Sequence, residues 1–177
     1  MADQSRTSVT KLFDQNEIAQ QVERLAGEIA GAMGMDLVVV GILKGSFVFL
    51  ADLIRALDRI GCAPRVEFVR LRSYGLGRET SGDVRLIGEL PEVAGRAVVL
   101  VDDVADTGLS LVYGKPLLEK AGAAEVRTCA LVDKPSRRKV PLQLDFVGFT
   151  VGDHFVVGYG IDYAERYRHL PYIGAID

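Results

Sequence analysis

Two uninterrupted apolar runs constrain this chain more than any other feature. They are Leu37-Val38-Val39-Val40-Gly41-Ile42-Leu43 and Ala97-Val98-Val99-Leu100-Val101. A strand with one wet face alternates apolar and polar residues. A continuous β-branched run belongs to a strand buried on both faces, the habit of a parallel sheet. Val126 to Val132 reads as a third strand of this kind. Between the runs the apolar spacing turns helical, at Ile18, Val22, Leu25 and Ile29 and again at Phe47, Leu50, Ala51, Ile54 and Leu57. Val66 to Leu71 and Val84 to Leu90 add candidate strands, and Leu144 to Val151 with Phe155 to Tyr159 a further strand pair. Strands alternating with helices predict an α/β fold with a mostly parallel central sheet flanked by helices. At 177 residues the chain is expected to form a single domain, 1–177.

Composition narrows the function. The chain is 49% hydrophobic and 25% charged, with a net charge of −3. It has no long basic run, so a nucleic-acid partner is not expected. No apolar run approaches the length of a bilayer span, and the N-terminus lacks the apolar core of a signal peptide. Cys62 and Cys129 lie far apart without zinc-ligand spacing and read as free packing thiols in a reducing compartment. A soluble cytoplasmic protein is expected.

The chemistry concentrates after the Ala97–Val101 run. Asp102-Asp103-Val104-Ala105-Asp106-Thr107-Gly108-Leu109-Ser110 follows it directly and leads into a helix. Ligands of open α/β sheets bind beyond the carboxyl ends of the strands. The free N–H groups of a helix start suit a phosphate, Thr107 and Ser110 add hydroxyls, and Gly108 allows close backbone approach. Asp102 and Asp103 are acceptors suited to sugar hydroxyls or to magnesium. The segment thus offers a phosphate cup beside an acceptor shelf for ribose. Solvated loop acids or helix caps are the plainer reading of each aspartate alone. Neither a P-loop nor a complete Gly-x-Gly-x-x-Gly is present, since Gly158-Tyr159-Gly160 is followed by Tyr163 where the third glycine belongs. Lys44-Gly45-Ser46 also follows a strand and reads either as a second anion site or as a simple helix start. Ser73 to Asp83, with three glycines, reads as a long loop. The helix from Gly108 to Ala121 should break or kink near Gly114-Lys115-Pro116. Arg137-Arg138-Lys139 reads as a solvated hairpin face.

The acidic loop resembles the phosphoribosyl-diphosphate signature of type I phosphoribosyltransferases. Leu43-Lys44-Gly45-Ser46, Ser73-Tyr74-Gly75, Asp133-Lys134-Pro135-Ser136-Arg137-Arg138, Phe155-Val156-Val157-Gly158-Tyr159-Gly160-Ile161-Asp162-Tyr163 and Arg166 to Tyr172 are similar to the bacterial hypoxanthine(-guanine) branch of that family. The resemblance implies a small hood beside the sheet and a flexible closing loop at Tyr74. It also implies a cis Leu43–Lys44 amide at a diphosphate loop made by Lys44 and Gly45. Lys134 would donate to the purine 6-oxygen, Phe155 would stack on the base, and Val156 would offer it backbone groups. Asp162 and Asp102 would hold magnesium, Arg168 would meet the diphosphate from the other side, and Asp106 would manage the N7 proton. The implied substrates are phosphoribosyl diphosphate and an oxopurine, and the implied assembly is a homodimer or homotetramer. Three departures stand out: Asp102 where relatives often carry glutamate, Gly114-Lys115-Pro116 inside the following helix, and Leu76-Gly77-Arg78-Glu79 in the closing loop. Two rivals share these features in part, an RNA-binding regulator on the same fold and a phosphoacceptor domain. The second draws its acids from separate strands, whereas here they share one loop.

Overall fold

A computed structural model describes residues 8–74 and 83–176. Its centre is a six-stranded sheet in the order β4-β3-β2-β5-β6-β7. The strands are β2 (Leu37–Leu43), β3 (Arg65–Tyr74), β4 (Asp83–Ile87), β5 (Ala97–Ala105), β6 (Glu125–Asp133) and β7 (Phe146–Thr150). All neighbours run parallel except β4, which joins the edge antiparallel to β3. The doubly buried runs explain this arrangement. Val39, Val99 and Val101 point into one core with helices α1 (Gln15–Met33) and α2 (Phe47–Arg59), among Leu25, Phe49 and Leu53. Val38, Val40, Val98 and Leu100 point to the opposite core, with Leu111 and Leu118 of α3 (Leu109–Lys120). Helix α1 starts on a capping box: Asp14 accepts from Asn16 and Glu17 N–H, and Glu17 accepts from Asp14 N–H. No helix among the described residues is long and apolar enough to cross a membrane.

A separate three-stranded antiparallel sheet, β1 (Val9–Phe13), β9 (Ile173–Ile176) and β8 (Phe155–Val157), forms the hood. It is built from both ends of the chain, and Phe13 of β1 stacks on Phe149 of β7 at 3.9 Å.

Four expectations are corrected. β7 and β8 do not pair; the chain leaves the large sheet after Thr150, and Val156 pairs with Ala175 instead. β5 does not stop at Val101. Pairing with β6 continues to Ala105 opposite Asp133, so Asp102 and Asp103 are strand residues and the loop proper begins at Asp106. Ser73 and Tyr74 end β3 and Asp83 opens β4, so the expected loop loses its ends to strands, and its remainder, 75–82, lies outside the described residues. The side chain of Tyr74 lies outside them too. Finally, the expected break in α3 is not found, since the helix continues from Leu109 to Lys120 with Pro116 inside it. Its buried face, Leu111, Gly114 and Leu118, holds it to the sheet. Val112, whose carbonyl loses its partner to Pro116, stands on the exposed side.

Candidate active site

The site gathers where β2, β5 and β6 end. After β2 the Leu43–Lys44 peptide is cis, as the resemblance implied. Ser46 Oγ donates to Ile42 O at 2.7 Å and ties the turn back to the strand. Gly45 lies directly against the Asp103 carboxylate, in space that a Cβ would fill. Next along β5 is the acid pair. Asp102 is 8% exposed, and Asp103 N–H donates to its Oδ1 at 3.0 Å. Burial, then the neighbouring Asp103 charge, holds the Asp102 carboxyl well above the usual range. Asp103 is raised by burial as well, opposed by its hydrogen bond with Asp102 and by the Arg168 guanidinium. Burial and mutual charge thus disfavour ionising both acids of the pair.

Beyond β5 the chain wraps a cavity of about 110 Å³ lined by Asp102, Asp106, Thr107, Gly108 and Ser110, with Val104, Ala105 and Leu111. Gly108 caps α3 at φ 84°, a left-handed conformation that favours glycine. It is also pressed against Leu142, Arg138 and Val140, which would lie within 3.3 Å of an added Cβ. Lys134, only 4% exposed, lies with its Nζ 3.9 Å from Asp106 Oδ2. The solvated lysine of a turn is therefore not what is found. Arg137 Nε reaches Asp106 Oδ1 at 3.3 Å and Asp153 at 3.5 Å. The reading of Arg137-Arg138-Lys139 as a solvated face is overturned for Arg138. Its side chain is 15% exposed and bonds Asp133 and the carbonyls of Ala105 and Asp106.

The third wall is β8 with the segment that follows it. Phe155 is 50% exposed and meets Tyr163 edge-on at 5.1 Å, while Val156 is buried. Asp162 and Arg168, expected on opposite sides of a ligand, instead pair directly at 2.8 Å, and Arg168 Nη1 also donates to Gly160 O. Arg168 Nε is buried with no acceptor among the described residues. Glu165, which sequence reasoning passed over, binds Lys44 Nζ through both oxygens at 3.0 Å and Arg168 at 3.4 Å. The hydrogen bond from Lys44 leads in holding its carboxyl below the usual range. Its spacing, three residues from both Asp162 and Arg168, is the one sequence signal that pointed to it.

Comparisons with known proteins converge on one family. The phosphoribosyl transferase domain model matches residues 8–164. The chain is 40% identical over 173 residues to hypoxanthine phosphoribosyltransferase of Escherichia coli (strain K12), covering 96% of each chain. It is 42% identical over 171 residues to hypoxanthine-guanine phosphoribosyltransferase of Aquifex aeolicus, covering 94% of this chain and 93% of the relative. Among solved structures, a hypoxanthine-guanine phosphoribosyltransferase of Bacillus anthracis superposes with a TM-score of 0.88 at 39% identity, covering 96% of this chain and 100% of that one. With three converging walls, a matching family model and relatives that align end to end, the chain belongs to the type I phosphoribosyltransferases, in their bacterial hypoxanthine(-guanine) branch.

Proposed function

We propose that this chain, acting as a single domain, transfers the 5-phosphoribosyl group from phosphoribosyl diphosphate to N9 of hypoxanthine or guanine, as a purine-salvage enzyme. The observation that carries the reading is the meeting of Lys134 and Asp106 at the mouth of a phosphate-sized cup. A buried cation that can donate to a 6-oxo group and a carboxylate that can accept a proton stand 3.9 Å apart.

In the reaction the N9–C1′ bond forms as the bond from C1′ to the diphosphate oxygen breaks. Positive charge develops on the ribose and negative charge on the leaving group. Thr107, Gly108 and Ser110 hold the 5′-phosphate, and Asp102 and Asp103 accept from the ribose hydroxyls. Lys134 donates to the 6-oxygen; the 6-amino group of adenine would meet this ammonium with no acceptor between them. Phe155 stacks on the base, and Val156 presents backbone groups to its edge. Asp106 accepts the N7 proton as N7 becomes more acidic. Lys44, Gly45 and Arg168 hold the diphosphate, with Arg168 suited to a forked contact. Tyr74, at the closing loop, helps exclude water from the reactive carbon.

No three metal-ligating side chains cluster among the described residues, so a magnesium ion here would rest on two carboxylates. Magnesium is commonly held by one or two carboxylates, with substrate oxygens and water completing the shell. Asp102 and Asp162 each carry a carboxylate of the kind magnesium takes, and the Asp162 oxygens are held in place by Arg168 and by the Glu165 N–H. Asp162 and Asp102 would hold the ion, which when bound supplies positive charge against the departing diphosphate.

The unpaired buried Cys62 and Cys129 suit a reducing cytoplasm. A homodimer or homotetramer is the assembly that the family resemblance implies, and sedimentation measures it. The deciding assay is a panel of hypoxanthine, guanine, xanthine, adenine and uracil with phosphoribosyl diphosphate and magnesium. Turnover of oxopurines but not adenine or uracil is expected. No oxopurine turnover would refute the assignment.

A further inference from the structure

We propose that Arg138 is a positioning residue that orients the backbone amides of the phosphate cup. Three consecutive carbonyls at the start of the loop are drawn to one side by the segment after β6. Ala105 O accepts from Lys134 N at 3.1 Å and from Arg138 Nη1; Asp106 O accepts from Arg138 Nη1 at 2.8 Å; Thr107 O accepts from Lys139 N at 3.0 Å. In a trans peptide the N–H points opposite the preceding carbonyl. The amides of Asp106, Thr107 and Gly108 therefore all face away from 134–139, and none has an acceptor among the described residues. The cavity lies on that side: its wall runs from Asp102 to Leu111 and takes no residue from 134–139. Successive N–H groups turned into one concavity form an anion nest.

Arg138 occupies the middle of this arrangement. Its guanidinium alone spans two of the carbonyls, and its Nη2 is anchored on Asp133 at the end of β6. Lys134 and Lys139 contribute only backbone N–H, which any residue but proline supplies. The guanidinium is thus the side-chain element that fixes two of the three peptide planes. A lysine carries the charge but not the fork. Arg138 touches no substrate; it acts through the amides that do.

The proposal rests on the phosphoribosyl-transfer reading and predicts a loss confined to the 5′-phosphate. The test titrates wild type and Arg138→Gln with inosine 5′-monophosphate, which uses the cup, and separately with magnesium diphosphate, which uses Lys44 and Arg168. Charge-assisted hydrogen bonds are lost, so affinity for the monophosphate should fall about 10- to 100-fold. Diphosphate affinity should stay within about 2-fold, since its partners are elsewhere. Methylguanidinium added to Arg138→Ala should restore part of the monophosphate affinity. Equal losses for both ligands, or no loss for the monophosphate, would overturn the role. If Arg138→Gln does not fold, the same two titrations on Arg138→Lys decide it by the same criterion. Wild type that binds neither ligand would instead remove the functional reading itself.

Discussion

Asp106 and Lys134 are close enough to be read as one unit, yet their chemistry separates them. Asp106→Asn keeps the shape but cannot take a proton. Turnover with hypoxanthine should fall by about 10²–10⁴-fold, the usual reach of a positioned base, while phosphoribosyl diphosphate binds within several-fold. Single-turnover kinetics beside a direct titration separates the two; an unchanged chemical step would leave Asp106 as a loop-shaping residue. Lys134→Gln removes a charge-assisted donor, worth about 1.5–3 kcal/mol, from hypoxanthine affinity. Phosphoribosyl diphosphate affinity should hold, and equal losses would make the lysine structural. Both residues were singled out in short segments that resemble the family, and the structure brings them together. Arg138 was not. Three adjacent cations look like a solvated face, and the contact that fixes one of them reaches 33 residues back to Ala105. Glu165 was missed for a similar reason, since its partner Lys44 is 121 residues away.

Elements were legible where burial alone decided them. The doubly buried runs identified β2 and the start of β5, and the helical spacing identified α1 and α2. The pattern failed at strand ends, where the acids of β5 interrupt its apolar run, and at β8, whose partner β9 the pattern did not single out. In α3 the local rule and the packing pull apart, which gives a paired prediction. Pro116→Ala restores the missing N–H to Val112 and should raise stability, by up to about 3 kcal/mol. Gly114→Ala improves helix propensity by about 1 kcal/mol. Its Cβ, however, would sit 3.0 Å from Leu100 Cδ2 and 3.6 Å from Leu71 Cδ1. Overpacking costs about 1–3 kcal/mol and should win, lowering the melting temperature. Thermal unfolding of the two variants checks both signs. A stabilised Gly114→Ala would mean that Leu100 yields easily.

At the scale of the whole molecule, the hood sheet is what the apolar pattern concealed. It joins residues from the two ends of the chain, and only the family resemblance anticipated it. The fold then buries Asp102 beside a half-buried Asp103 near the end of its central strand, and global stability should report that choice. Burial, then the neighbouring Asp103 charge, holds the folded-state pKa of Asp102 well above its unfolded-state value. Between those two values the native state binds more protons than the unfolded state. Stability therefore falls as pH rises through the raised pKa, and the benefit is complete only below the unfolded value. Asp102→Asn is neutral at every pH, retains an oxygen to accept from Asp103 N–H, and can donate its amide to the Asp103 carboxylate. The variant should melt higher than the parent near pH 7 and lose that advantage as pH approaches 4, the unfolded-state range of aspartate. Ribose binding should weaken at every pH, because one acceptor has become an amide. Melting curves of both proteins from pH 4 to 8 decide the matter. A parent as stable as the variant at neutral pH would mean that the acid pair is already well solvated. A higher-melting, ribose-blind variant would identify the pair as an acceptor shelf kept at the expense of stability.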